Sequence, residues 1–169
     1  MSTRARPTGT AAPWRDGIAE EDRVAAVRVL ARLHRVLESV DTGLTLPQYW
    51  VLAALASGGV RSANLAERLA VRRPTLTAIA DGLVAAGLAT REGEAGDRRV
   101  VRLHATEAGH AALCRADECL RDKLDPLLDE VDEPERFIAS LLAVGAALDE
   151  RIRAKLPVPA EQTSKEAAG

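Results

Sequence analysis

Residues 62–87 read SANLAERLAVRRPTLTAIADGLVAAG, and this stretch decides the fold. Ser62 is a good N-cap for a helix through Ala70, with Leu65 and Leu69 on one face. Residues 71–73 leave room only for a tight turn. Pro74 suits the first turn of a following helix, where its missing N–H has no helical partner. That second helix carries Leu76, Ile79 and Leu83 as an apolar stripe, runs to Ala86 and stops at Gly87. Two short helices joined by a tight turn form a helix-turn-helix.

The pattern continues on both sides. Downstream, residues 88–92 and 99–104 flank a Gly-containing loop at 93–97, which predicts a β-hairpin. Upstream, Val60 and Arg61 are enough for a short strand only. Before them, Thr45-Leu-Pro-Gln48 has capping-box spacing and opens a helix through about Ser57. Residues 18–40 repeat apolar positions at helical spacing, with Val24, Val27, Leu30, Ala31, His34, Leu37 and Val40 on one face. Thr106 is placed to cap a long helix to about Glu130, with Leu113, Leu120, Leu124 and Leu127 inward. Asp132-Glu-Pro-Glu135 resembles a cap. It opens a last helix to about Lys155, whose stripe is Phe137, Leu141, Val144, Leu148 and Ile152.

The expected fold is mostly α with a small β-hairpin wing: a winged helix-turn-helix between N- and C-terminal dimerisation helices. The expected segments are a flexible arm at 1–17, a dimerisation helix at 18–44 and the winged helix-turn-helix at 45–105. C-terminal dimerisation helices at 106–156 and a disordered tail at 157–169 follow.

Composition narrows the function. The chain has 169 residues, 2% of them aromatic, and a net charge of -2. So few rings argue against stacking bases of a single strand. The charge is unevenly spread. Residues 61–102 hold eight Arg and five acids, net +3, whereas residues 103–169 are net -6. A basic middle ahead of an acidic third suggests a polyanion-facing module joined to something else. No apolar run approaches the roughly 20 residues that span a bilayer, so no membrane partner and a cytoplasmic location are expected. Gly-rich phosphate loops, nucleophile elbows and paired-His metal motifs are lacking, so no enzyme activity and no cofactor are expected.

In a winged helix, the second helix of the pair fits a major groove and the hairpin reaches a minor groove. Arg72, Arg73, Thr75 and Thr77 on that helix, and Arg98 and Arg99 near the wing tip, are the candidate contacts with double-stranded DNA. Arg offers charge and a bidentate fork; Thr offers a hydroxyl and a methyl. Asp97 is read as a partner that orients Arg99.

These residues resemble the MarR family of bacterial transcription regulators. The resemblance spans about residues 20 to 155. It rests on LPQYWVL at 46–52, NLAERLA at 64–70, TLT at 75–77, LVAAGL at 83–88, DRR at 97–99 and TEAG at 106–109. It implies a homodimer whose terminal helices interlock, with each winged helix on one half-site of a pseudo-palindrome. It further implies a repressor released by a small aromatic or phenolic effector. Pro74 and Ala78 depart from the family, which often has Ser and Arg there, so base readout is thinner. Trp14, His34, Tyr49 and Trp50 are the candidate effector-pocket residues, although each also suits ordinary core packing. A winged-helix module for protein interaction, without sequence-specific DNA binding, is the alternative.

Cys114 and Cys119 are read as small buried helix residues. Five positions apart on a helix, they point about 140° away from each other and are not expected to pair. His110, Cys114 and Glu118 share a helix face, but zinc needs about four ligands, and no metal site is expected.

Overall fold

The computed structural model describes residues 17–154, apart from 57, 95 and 96; the side chains of 63, 94, 97–100 and 153 are also outside the description. The arm up to 16, including Trp14, and the tail at 157–169 thus lie outside the described residues. The described elements, in chain order, are α1 (Glu20–Glu38), α2 (Leu46–Leu55), β1 (Val60–Arg61), α3 (Ser62–Arg68) and α4 (Arg73–Ala85). Then follow β2 (Ala89–Glu94), β3 (Asp97–Ala105), α5 (Glu107–Leu128) and α6 (Pro134–Arg153). The strands form one antiparallel sheet in the order β1-β3-β2. A mostly helical chain with a small wing is therefore the fold.

Two compact units are present, divided between Ser39 and Val40. The first contains α1. Glu20, Glu21 and Asp22 in its first turn and Arg35 in its last complement the helix dipole. None of its residues is buried.

The second unit contains the remaining elements. Its core joins Val51, Leu52 and Leu55 of α2, Leu65 of α3, and Leu76, Ala80 and Leu83 of α4. Ala89 of β2, Leu103 of β3 and Leu113 of α5 complete it. Helix α2 starts as its sequence dictates: the Gln48 N–H donates to Thr45 Oγ1, and the Thr45 N–H donates to Gln48 Oε1. Thr106 caps α5, accepting from the Gly109 N–H at 3.0 Å while its own hydroxyl donates to the Gly87 carbonyl at 2.7 Å. One threonine thus ties the end of α4 to the start of α5.

Helices α3 and α4 end alike. After α3, the N–H groups of Ala70 and Val71 donate to the carbonyls of Glu67 and Ala66. After α4, those of Gly87 and Leu88 donate to Val84 and Leu83. Both are Schellman turns, which need a left-handed residue. Gly87 adopts φ 70° freely, while Ala70 adopts φ 52° against the repulsion of its Cβ.

Several expectations change. Arg61, not Ser62, is the N-cap of α3, without a side-chain cap bond. The Ser62 hydroxyl donates instead to the Val101 carbonyl at 3.1 Å, because pairing of β1 with β3 brings that carbonyl within reach. Glu133 caps α6 without a side-chain bond. Leu127, expected inward, is exposed, whereas the exposure of Phe137, Leu141, Val144 and Leu148 on α6 goes against no expectation. Cys114 and Cys119 are exposed too. The buried face of α5 is taken by Gly109, Ala112, Leu113 and Ala116, leaving both thiols on other sides of the helix.

No helix among the described residues is long and apolar enough to cross a membrane.

Candidate nucleic-acid interface

Burying Leu76, Ala80 and Leu83 turns the opposite face of α4 outward. Arg72 is its N-cap, and Arg73 and Pro74 begin it. Arg72, Arg73, Thr75, Thr77 and Ala78 are all exposed. The exposed first turns thus combine two cations with the unpaired N–H groups of a helix N-terminus, both suited to a phosphate. Thr77 is partly committed: its hydroxyl donates to the Arg73 carbonyl at 3.0 Å. Pro74 and Ala78 offer no side-chain hydrogen bond to a base.

The wing is β2 and β3. Pairing is regular from Ala89↔Ala105 to Gly93↔Val101 and shifts at Gly93/Glu94. Such an irregularity bends and twists a hairpin near its tip. Asp97, Arg98 and Arg99 open β3, and their side chains lie outside the described residues.

Between α3, α4 and the sheet lies a cleft of about 590 Å³. Leu76, Ala80, Val101 and Leu103 line its apolar part, and Arg61, Arg73, Arg91, Asn64 and Thr77 its polar part. Arg91 crosses from β2 to α4. Its Nη1 donates to Asp81 Oδ1 at 2.5 Å and its Nη2 to the Thr77 carbonyl at 3.4 Å.

Neither Arg91 nor Asp81 belongs to a motif that marks it in the sequence. The available signal was strand alternation: Arg91 is in phase with Ala89, which is buried, so it leaves the sheet on the packed side. A charge on that side needs a partner, and Asp81 on the facing helix supplies it.

Of the effector-pocket candidates, Tyr49 and Trp50 do not line this cleft, and Trp14 lies outside the described residues. His34 is exposed on α1 of the first unit, and Tyr49 and Trp50 are on α2 of the second. The Tyr49 hydroxyl donates to Asp117 Oδ1 of α5 at 2.8 Å. Burial, then the hydrogen bond to Asp117 and its charge, push the Tyr49 phenol up to about 12. Trp50 is 37% exposed. Among the described residues, no three His, Cys, Asp or Glu side chains gather to hold a metal ion.

Residues 42–100 match the model of the MarR family. The curated proteins contain no match to the chain. Among solved structures, the transcriptional regulator BldR from Sulfolobus solfataricus is 23% identical, with 77% of this chain and 99% of that one covered at a TM-score of 0.64. A mutant MarR from E. coli, complexed with operator DNA, is 20% identical over 79% of this chain and 97% of that one, TM-score 0.58. BpsR from Bordetella bronchiseptica, whose DNA binding is regulated by 6-hydroxynicotinic acid, is 21% identical over 76% and 99%, TM-score 0.62. Residues 42–100 are thus similar to the MarR family, and the chain shares the winged-helix fold of these solved structures.

Proposed function

We propose that the chain is a transcriptional regulator that binds duplex DNA as a homodimer, one winged helix per half-site. The observation that carries this reading is the start of α4, where Arg72, Arg73 and Thr75 are exposed beside a wing. Operator DNA bound to a protein of this fold supports it. Arg72, Arg73, Thr75 and Thr77 act in the major groove, and Arg98 and Arg99, the latter oriented by Asp97, in the minor groove. A two-fold dimer sets its recognition helices about 34–36 Å apart, one helical turn of DNA. The exposed stripe of α6 is the surface such a dimer would cover.

Repression relieved by a small aromatic or phenolic effector is the regulatory part of the proposal, supported by the behaviour of BpsR. Tyr49 and Trp50 are its candidates on α2, with His34 and Trp14 from the N-terminal region. The hydrogen bond to Asp117 occupies the Tyr49 proton, so a ligand there would meet the phenol as an acceptor.

One observation favours a second reading, a winged helix used for protein interaction. Thr77 spends its hydroxyl within α4, and Pro74 and Ala78 add no reading group.

A gel shift with DNA from the protein's own upstream region separates the two. A complex that survives excess competitor DNA supports the regulator; purely non-specific, salt-labile binding supports the interaction module. Arg98→Ala is expected to lower the slope of log K against log salt by about one phosphate's worth. An unchanged affinity across the titration would remove Arg98 from the interface.

A further inference from the structure

Arg91 pairs across the hairpin with Leu103, which is buried on the inner face of the sheet. Cross-strand partners share a face, so Arg91 leaves the wing on the side that packs towards α4. There it meets two groups on successive turns, the carbonyl of Thr77 and the carboxylate of Asp81. These residues are four apart and lie one above the other on the helix. A single planar guanidinium with several fixed donors can hold both at once. Thr77 in turn donates to the Arg73 carbonyl in the first turn of α4. Arg91 thus ties the wing strand to the same residue, Thr77, whose side chain bonds to the exposed start of α4.

We infer that Asp81 and Arg91 are positioning residues for DNA binding: their ion pair sets the wing against the recognition helix, so that both elements reach the duplex in one geometry. The inference rests on the DNA-binding reading above. Two observations separate this role from simpler ones. The side chains of Arg91 and Asp81 are 36% and 58% exposed, and an ion pair so open to water adds little to stability. Asp81 is also an acid beside a surface meant for a polyanion. On charge alone its removal would strengthen DNA binding; as a clamp its removal weakens it.

That opposition in sign is the test. Fluorescence anisotropy with the upstream duplex, over a salt series, is run on the full chain and on Asp81→Asn, Arg91→Gln and the double variant. Each single variant is expected to weaken specific binding about tenfold, and the double variant to be no worse than the worse single, the mark of one coupled unit. The salt slope of Asp81→Asn is expected to stay at the wild-type value. Amides of β2 and β3 are expected to exchange hydrogen faster in Arg91→Gln, with little change in melting temperature. Tighter binding by Asp81→Asn would overturn the inference. So would additive losses, hairpin exchange unchanged in Arg91→Gln, or a slope lowered by about one in that variant, which marks a phosphate contact. A wild-type chain without preference for any duplex would instead overturn the DNA-binding reading itself, before any variant is compared.

Discussion

Helices α4 and α6 carry comparable apolar stripes and have opposite surroundings. Helix α4 buries Leu76, Ala80 and Leu83 in the core of its unit and packs against α2, α3 and β2. Helix α6 leaves Leu142 69%, Val144 57% and Leu148 56% exposed. Both patterns follow the 3.6-residue period, so amphipathicity says only that a face wants cover. What supplies the cover differs: for α4 it is the same chain, and for α6 the proposed homodimer supplies a second copy. Helix α5 passes between the two conditions. Its first half packs through Gly109, Ala112, Leu113 and Ala116, and its second half ends at the exposed Leu127.

The comparison breaks most directly at Leu83, which is fully buried. Leu83→Ala is expected to cost about 2–5 kcal/mol, by lost transfer energy and a residual cavity. Chemical denaturation should show the same loss at every protein concentration; a concentration-dependent loss would show that α4 shares the condition of α6.

Next comes Gly109, where α5 enters the core. A Cβ there would stand 2.0 Å from the Leu88 carbonyl oxygen, which is backbone and held by the Thr106 N–H. Gly109→Ala is expected to destabilise by about 1–3 kcal/mol, the range of overpacking. Gly145 on α6 has open space around it, so Gly145→Ala should instead leave thermal stability equal or slightly higher.

Leu148→Ala sharpens the other side. Its cost, about 1–2 kcal/mol, should appear in association and not in the fold of one chain. Sedimentation equilibrium measures it directly. Equal dissociation constants for variant and wild type would remove Leu148 from the proposed dimer interface.

The smallest effect is at Tyr49, which bonds to Asp117 one residue past the last buried position of α5. Tyr49→Phe is expected to cost about 1 kcal/mol at neutral pH. Folding raises the phenol from 10.0 to about 12, so the neutral form is the one the fold stabilises. That contribution is fully present below pH 10 and is lost as pH rises through about 12. Denaturation curves from pH 9 to 12 should fall more steeply for wild type than for Tyr49→Phe, and parallel curves would refute the assignment.

Much of this architecture is legible in the chain because its signals are local. Thr45 and Gln48 cap each other within one turn, Thr106 caps α5 three residues on, and Gly87 ends α4 where a left-handed residue is needed. Ser62 misleads for the opposite reason: its hydroxyl prefers the Val101 carbonyl, thirty-nine residues away, to its own helix. The exposed thiols of Cys114 and Cys119 were hidden by phase, since α5 buries Gly109, Ala112, Leu113 and Ala116 instead.

The sequence by itself determined the order of helices and strands, the caps of α2 and α5, the break at Gly87, and the outward Arg and Thr side chains at the start of α4. Those depend on neighbours within a turn or two of chain, where backbone hydrogen bonds and apolar periodicity act. Tertiary structure alone decided that Arg91 grips Asp81 and Thr77, that Tyr49 reaches Asp117, and that Gly109 lies under Leu88. Each of those pairings depends on strand register or helix packing, which bring together groups that no local spacing relates.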